Sequence, residues 1–360
     1  MVLAKSLCEH SRSVLGRANR KIRLLGPQSS KRLASSSSMS VESARNHCLE
    51  LLKNTDRSSY LLKSYIPKPA LDAYIGVRAL NIDLARVTDT VTKPELAKLR
   101  LEFWKSAVQK IYQGSDKAPR EPACILLAHA LETGVTLSKR YFLTLIQTRE
   151  QFIANPPFRT LDSMASYGEG TYSQLNYLTQ ELALSVSPGA QKLIDDPATS
   201  TLEESLRTIA AHIGQATGIA AYIRGFKFYV GNKTFVPLPV SLMTNNNISQ
   251  QQVIDLSAGR LEGDTAREVA SKLSNVVFET ATRANDHLLS AQSILMELKR
   301  DTGLAKLPNG LFVPLLSAVP VHLFLERLEK ANFDISNLKL ANDWRLPYRS
   351  YKSYKLQTLN

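Results

Sequence analysis

Cysteine is scarce in this chain of 360 residues: Cys8, Cys48 and Cys124 are the whole complement, and none stands in a CxxC or CxxH spacing. That scarcity argues against a disulfide-stapled scaffold and against a thiolate zinc site, and it leaves Cys48 and Cys124 as reduced core thiols. No run of 18 apolar residues occurs. The nearest, Leu311 to Leu325, is broken by Pro314, Pro320 and His322, so a membrane-crossing helix is not expected. The patterns GxxxxGK(S/T), HExxH and GxSxG are missing, which removes the common phosphate-loop, zinc-protease and esterase signatures. His47, His129, His212, His287 and His322 are scattered, and each reads as a surface or hydrogen-bonded core residue.

Acidic residues are few at the start of the chain. Residues 1–40 carry eight basic groups (Lys5, Arg12, Arg17, Arg20, Lys21, Arg23, Lys31, Arg32) and one acid, Glu9. They are rich in serine and have spaced apolar residues without a continuous apolar core. This composition reads as a mitochondrial transit peptide, the alternative being a plain basic tail. The remaining 320 residues hold 37 basic and 31 acidic groups, so most of the net charge of +13 is concentrated at one end. A mildly basic body suits an anionic membrane surface or an acidic partner. It lacks the stripe of Lys and Arg interleaved with aromatics that nucleic-acid binders use, so no nucleic acid is expected.

The rest of the chain is dominated by apolar residues at three- and four-residue spacing, the period of a helix with one buried face. The pattern predicts helices over 41–54, 57–65, 70–91, 93–113, 121–132, 136–152, 160–185, 202–226, 263–300 and 318–332. In the fourth, Leu96, Leu99, Phe103, Ala107, Val108 and Ile111 form the expected core stripe. Breakers separate the elements at Pro67-Lys-Pro69, Gly114-Ser-Asp, Asn155-Pro-Pro157, Ser187-Pro-Gly189 and Asn245-Asn-Asn247. Residues 227–236 place β-prone runs around Gly231-Asn232, either a small hairpin or an extended loop. No repeat and no linker divides the body. The expected fold class is all-α: one large helical domain over 41–335, followed by an aromatic and basic tail over 336–360 that suits either a membrane or partner surface or a packed terminus.

Two segments carry more specific information. The first is Ala73-Tyr-Ile-Gly-Val-Arg-Ala-Leu-Asn-Ile-Asp-Leu-Ala-Arg-Val87, followed by Leu101-Glu-Phe-Trp-Lys-Ser-Ala-Val-Gln-Lys-Ile-Tyr112. The second is Ala211-His-Ile-Gly-Gln-Ala-Thr-Gly-Ile-Ala-Ala-Tyr-Ile-Arg224, followed by Lys233-Thr-Phe-Val-Pro237. With Tyr167-Gly-Glu-Gly-Thr-Tyr-Ser-Gln-Leu175 between them, they resemble the squalene/phytoene synthase family in order and spacing over roughly residues 45–330. Enzymes of that family join two prenyl diphosphates. Two acidic motifs on facing helices hold magnesium ions, which neutralise the departing diphosphate. Magnesium needs oxygen ligands on one helix face, and positions i and i+4, about 40° apart, supply them.

The resemblance implies acids where this chain has none. The first motif follows Arg78, and its carboxylates would fall at Asn81, Ile82 and Ala85. The second follows Arg224, and its carboxylates would fall at Gly225 and Tyr229. Asp83 is no substitute for Asn81, because two residues along a helix is about 200° around it. The acids left for a substitute metal site are Asp83, Asp89, Glu169 and Asp286.

A closer resemblance is to a mitochondrial branch of the family. It rests on Arg78-Ala-Leu-Asn-Ile-Asp-Leu-Ala-Arg-Val87, Phe103-Trp104-Lys105, His212-Ile-Gly-Gln-Ala-Thr-Gly218 and Leu346-Pro-Tyr348. It implies a pseudoenzyme without cofactor or metal, in the matrix at the inner membrane. The implied partners are subunits of respiratory complex I (NADH:ubiquinone oxidoreductase) or its other assembly factors. A retained cavity would still suit a lipid or isoprenoid. Arg78, Tyr167, Gln215, Arg224 and Lys233 are its candidate contacts, with Arg78 and Arg224 either free for phosphate or paired with acids such as Asp83 or Glu169. The small residues Gly214, Ala216, Gly218 and Ala220 read as a helix-packing face.

Overall fold

A computed structural model describes residues 39–359 except 92, 155, 234, 337 and 339–341; the side chains of Ala198 and Lys233 are also outside the description. The expected targeting segment therefore lies outside the described residues.

The chain is helical from Ser40 onward. Ser40 caps α1 (Val41–Thr55) by accepting the Ser43 amide at 3.1 Å. Asp56 closes α1 and caps α2 (Arg57–Leu62), accepting the Ser59 amide and hydroxyl at 3.1 and 2.6 Å. Two short 3₁₀ turns lead into α3 (Leu71–Thr90), whose residues 73–82 are all buried. A helix apolar around its whole circumference belongs in the centre. Accordingly α1, α4 (Pro94–Ile111), α5 (Pro122–Glu132) and α6 (Lys139–Gln151) pack around α3. Each fully buried leucine or isoleucine there contributes roughly 1.5–3 kcal/mol.

The second half is organised by α10 (Leu202–Lys233) and α13 (Gly263–Asp301), which lie against each other. Between the halves runs α7 (Leu161–Gly168), a π turn over Glu169–Ser173, and α8 (Gln174–Ser185). Both α3 and α10 pack on α8, and α6 packs on the π turn. Residues 309–330 follow as α14 (Asn309–Phe312), a 3₁₀ segment (Val313–Ala318) and α15 (Val319–Lys330). By length and composition alone this stretch could cross a membrane, but 72% of it is buried inside the fold, where it serves as core.

Several expectations are corrected. Residues 227–233 are neither hairpin nor loop: α10 continues through Lys233 because Phe226 and Val230 keep its buried face apolar. Leu96, Leu99 and Phe103 are exposed, and α4 instead buries Ala97, Leu101, Trp104, Ala107, Val108 and Ile111. Two apolar stripes compete on that helix, and only packing chose between them. Ser187-Pro-Gly189 does end the preceding helix, and it also opens α9 (Pro188–Ile194), with proline in the first turn, a helix that the pattern did not predict. Helices α11 (Val240–Asn245) and α12 (Gln250–Ser257) were too short to show a period. The tail forms α16 (Leu346–Leu356), packed on α15. Cys48 and Cys124 are free and buried as expected, their thiols pushed up to about 12, first by burial.

Candidate functional site

The contact of α10 with the α7–π–α8 strand of helices is very close, and glycine makes it possible. A Cβ added to Gly168 would sit 2.8 Å from the Gln215 Cα. One added to Gly214 would overlap the backbone of Ser173, and one added to Gly218 would overlap the Gly168 Cα. The small-residue face over 214–220 is thus helix packing. The π turn is held by its own polar groups: Glu169 accepts from Ser173 at 2.9 Å, Tyr177 at 2.7 Å and Gln215 at 3.0 Å. A widened turn of this kind redirects side chains on both of its sides.

Helices α3 and α10 border a shared central region, because Arg149, which holds Asn81 of α3, also lies within electrostatic reach of Tyr229 of α10. Asn81, buried on α3, accepts a hydrogen bond from the Arg149 guanidinium of α6 at 2.7 Å. Ile82 is buried and Ala85 half-buried on the same helix. Asp83 points elsewhere, toward Cys48 of α1 and Cys124 of α5, where burial raises its pKa to about 6. That agrees with the 200° offset read from the sequence.

Aromatic rings line the α10 side. Tyr167 and Tyr222 lie 5.1 Å apart, Tyr222 and Tyr229 5.4 Å, Phe158 and Tyr222 4.7 Å, and Phe152 and Tyr167 4.7 Å. These are tilted and edge-on arrangements that aromatic quadrupoles favour. Burial pushes the Tyr222 and Tyr229 hydroxyls well above their ordinary range, so both stay neutral phenols. Gly225 sits directly beneath the Tyr229 ring.

Three guanidinium groups stand around this region. Arg78 lies 5.3 Å from the centre of the Tyr74 ring and reaches Thr179 at 3.4 Å. Arg149 holds Asn81. Arg224 lies 4.8 Å from the Phe324 ring centre. Its pKa is lowered by burial, so it sits deep in the fold, yet its side chain is open to solvent. Among the described residues none of the three pairs with a carboxylate, neither Asp83 nor Glu169, and the Nε atoms of Arg78 and Arg149 have no hydrogen-bond partner. Buried cations are normally paired, and Arg78 and Arg149 are buried without a carboxylate beside them, whereas Arg224 is exposed and lies within electrostatic reach of Asp56.

Of the residues singled out from the sequence, Asn81 is bonded to Arg149, Arg78 reaches Thr179, Arg224 lies by the Phe324 ring, and Tyr167 and Tyr229 both lie against Tyr222. Gln215 lines a cleft of about 260 Å³ at α7, with Asp162, Ser166, Glu169, Arg283 and His287. The Lys233 side chain lies outside the described residues. Of the four spare acids, Asp83 lies toward Cys48 and Cys124, and Glu169 is bound to Ser173, Tyr177 and Gln215. Asp286 is exposed on α13, and Asp89 is exposed near the end of α3 within electrostatic reach of Tyr229. Among the described residues no three His, Cys, Asp or Glu side chains stand close enough together to hold a metal ion.

Sequence reasoning missed two features. Arg149 occupies the i+7 position of the buried stripe Phe142, Leu145, Ile146, and a charge on an apolar stripe was the available signal. His212 and His287, 75 positions apart, bring their Nδ1 atoms within 3.0 Å. Burial holds His287 neutral, its pKa lowered to about 4.

The all-helical layout fits the isoprenoid-synthase class of fold, and comparison with known proteins agrees. Residues 52–351 match squalene/phytoene synthase, and the chain belongs to that family. Among solved structures it is similar to a dehydrosqualene synthase (TM-score 0.57, 12% identity, covering 88% of this chain and 96% of that one). It is likewise similar to a squalene synthase from Alicyclobacillus acidocaldarius (TM-score 0.60, 11% identity, 82% and 96% covered). At those identities the likeness concerns the fold alone. By sequence the chain is similar to complex I assembly factor 6 of Homo sapiens, 28% identical over 325 residues, or 90% of this chain and 86% of that protein. It is also similar to the assembly factor 6 homologue of Drosophila melanogaster, 27% identical over 313 residues, or 85% and 81%.

Proposed function

We propose that this protein is a non-catalytic assembly factor for respiratory complex I, built on a prenyl-synthase fold that has lost both magnesium-binding motifs. In this reading residues 1–40 direct import into mitochondria, 41–335 form the synthase-like domain, and the protein works on the matrix side of the inner membrane with complex I subunits or other assembly factors. The relatives named above support the assembly role. The pseudoenzyme part rests on one observation: where two carboxylate clusters would hold magnesium, Asn81 binds the Arg149 guanidinium and Tyr229 joins a ring cluster. A cation already fills the place of the metal, and a second cation beside it would be repelled.

Deleting the gene is expected to deplete assembled complex I on native gels while leaving other respiratory complexes in place. A normal complex I band rules the assembly role out. The rival reading, an active prenyl transferase with a substitute metal site, is tested separately. Pure protein incubated with farnesyl diphosphate and magnesium should release no pyrophosphate, and release above a no-protein blank establishes the rival.

The unpaired arginines favour one addition: the region between α3 and α10 holds a ligand with an anionic head and an apolar tail, an isoprenoid or a lipid. Three cations and a cluster of rings match those two parts without any metal.

A further inference from the structure

Helix α16 is built inside out. Its buried face carries Leu346, Ser350, Ser353 and Gln357. These are mostly small or polar: Ser353 donates to the Thr358 carbonyl, and Gln357 accepts from the Leu307 amide and donates to its carbonyl at 2.7 and 2.8 Å, while the buried Ser350 hydroxyl has no hydrogen-bond partner. The opposite face carries Tyr348, Tyr351, Lys352 and Lys355, four positions that at about 100° per residue fall within an arc of about 100°, and the exposed Trp344 stands in the turn just before the helix. Trp344 is 84% exposed, Tyr348 66% and Tyr351 53%, and both lysines are exposed.

Ordinary amphipathic helices bury such rings, because a buried aromatic contributes more to a core than a serine does. Here the rings stand outside although the helix is firmly docked. Arg345 and Arg349, at the edges of the exposed arc, are committed to Glu326 at 2.9 and 2.8 Å, and Arg345 also to Asp343. Those pairs anchor the helix and fix its rotation, and they leave Lys352 and Lys355 as the cations of the outward face. No acid occurs anywhere from Trp344 to the end of the chain.

We infer that this face is a docking surface for an anionic phospholipid bilayer. Tryptophan and tyrosine prefer the headgroup level, where the ring is half in hydrocarbon and the polar edge is wet. Lysines beside them are attracted to the negative surface. The uniform charge sign and the ring chemistry fit a lipid surface better than a protein patch of mixed charge. The inference gives a specific face to the membrane placement proposed above and rests on that placement, but it does not need the assembly role.

The test uses the full chain and vesicles of phosphatidylcholine with or without phosphatidylglycerol. The chain has two tryptophans, and Trp104 is buried, so the difference in emission between the parent and W344F isolates Trp344. That readout is unaffected by the basic segment 1–40, which is expected to bind anionic vesicles by itself. Phosphatidylglycerol vesicles should shift the Trp344 emission to the blue and expose it to quenching by brominated lipid, and pure phosphatidylcholine should do neither. K352E/K355E should weaken partitioning more than about tenfold, from two cations each worth about 1 kcal/mol at an anionic surface, whereas R267E at the far end of α13 should leave it unchanged. Unaltered Trp344 emission on anionic vesicles, or parent-like binding by K352E/K355E with an intact helical circular-dichroism spectrum, overturns the inference. Normal complex I after gene deletion, with this binding intact, defeats the assembly reading alone.

Discussion

Two groups of three arginines in this molecule are treated in opposite ways. Near the C-terminus, Arg327, Arg345 and Arg349 are bound to Asp343 and Glu326 at 2.8–2.9 Å. Around the central region, Arg78, Arg149 and Arg224 have rings, an amide and a hydroxyl beside them, but no carboxylate among the described residues. The first group is structural, since each of its three guanidiniums lies against a carboxylate. The second retains net positive charge, buried at Arg78 and Arg149, a costly arrangement for stability alone. The difference separates a clamp from a candidate site: one set of cations ties α15 to the tail, and the other stands without an ion pair among the described residues.

The largest expected effect breaks the clamp. Asp343 accepts from two arginines, which hold its carboxyl far below the usual range. Asp343→Ala leaves both cations without that partner and is expected to destabilise the fold by about 2–4 kcal/mol, read by urea denaturation. Because the folded pKa is depressed, this contribution is present above the unfolded value of 3.8 and is lost as pH falls below it. If the central arginines serve a ligand and not the fold, the opposite sign follows for them. Arg149→Met should leave the protein as stable as the parent, or more stable by about 1–3 kcal/mol, while reducing complex I in cells. A loss of stability like that of Asp343→Ala would erase the distinction between the two groups.

A smaller effect sharpens the contrast from the acidic side. Asp83 is buried away from both groups, with its carboxyl raised from 3.8 to about 6 by burial. A raised folded pKa gives stability that is complete below the unfolded value and lost as pH rises through the folded one. Asp83→Asn is therefore expected to stabilise the protein at neutral pH by on the order of 1–2 kcal/mol, with the gain vanishing near pH 4. Thermal melts at both pH values check it; equal gains at both would show that the carboxyl does not titrate as its burial dictates.

Much of this was legible beforehand. The long helices α3, α10 and α13 were readable because a period of 3.6 accumulates over many turns. The family likeness was readable because Arg78, Gly214, Gly218 and Arg224 stand at the right spacing. Short helices such as α11 and α12 gave too few turns for a period to emerge. The exposed stripe of Leu96, Leu99 and Phe103 looked like core because nothing in a helix by itself says which of two apolar stripes meets a neighbour. The bond of Gln215 to Glu169 of the π turn could not be read from the sequence, because it joins residues 46 positions apart on different elements.

The sequence by itself determined the helical class, the close glycine contact of α10, and the absence of carboxylates at Asn81, Ile82, Ala85, Gly225 and Tyr229. These follow from periodicity and from the identity of single residues, which need no neighbour to be read. Only the tertiary structure decided that Arg149 stands against Asn81, that His212 meets His287, and that α16 turns its rings outward. Each joins residues from different helices or sets one face against another. The choice of which face is buried is made by what the other helices leave uncovered, and no local pattern encodes it.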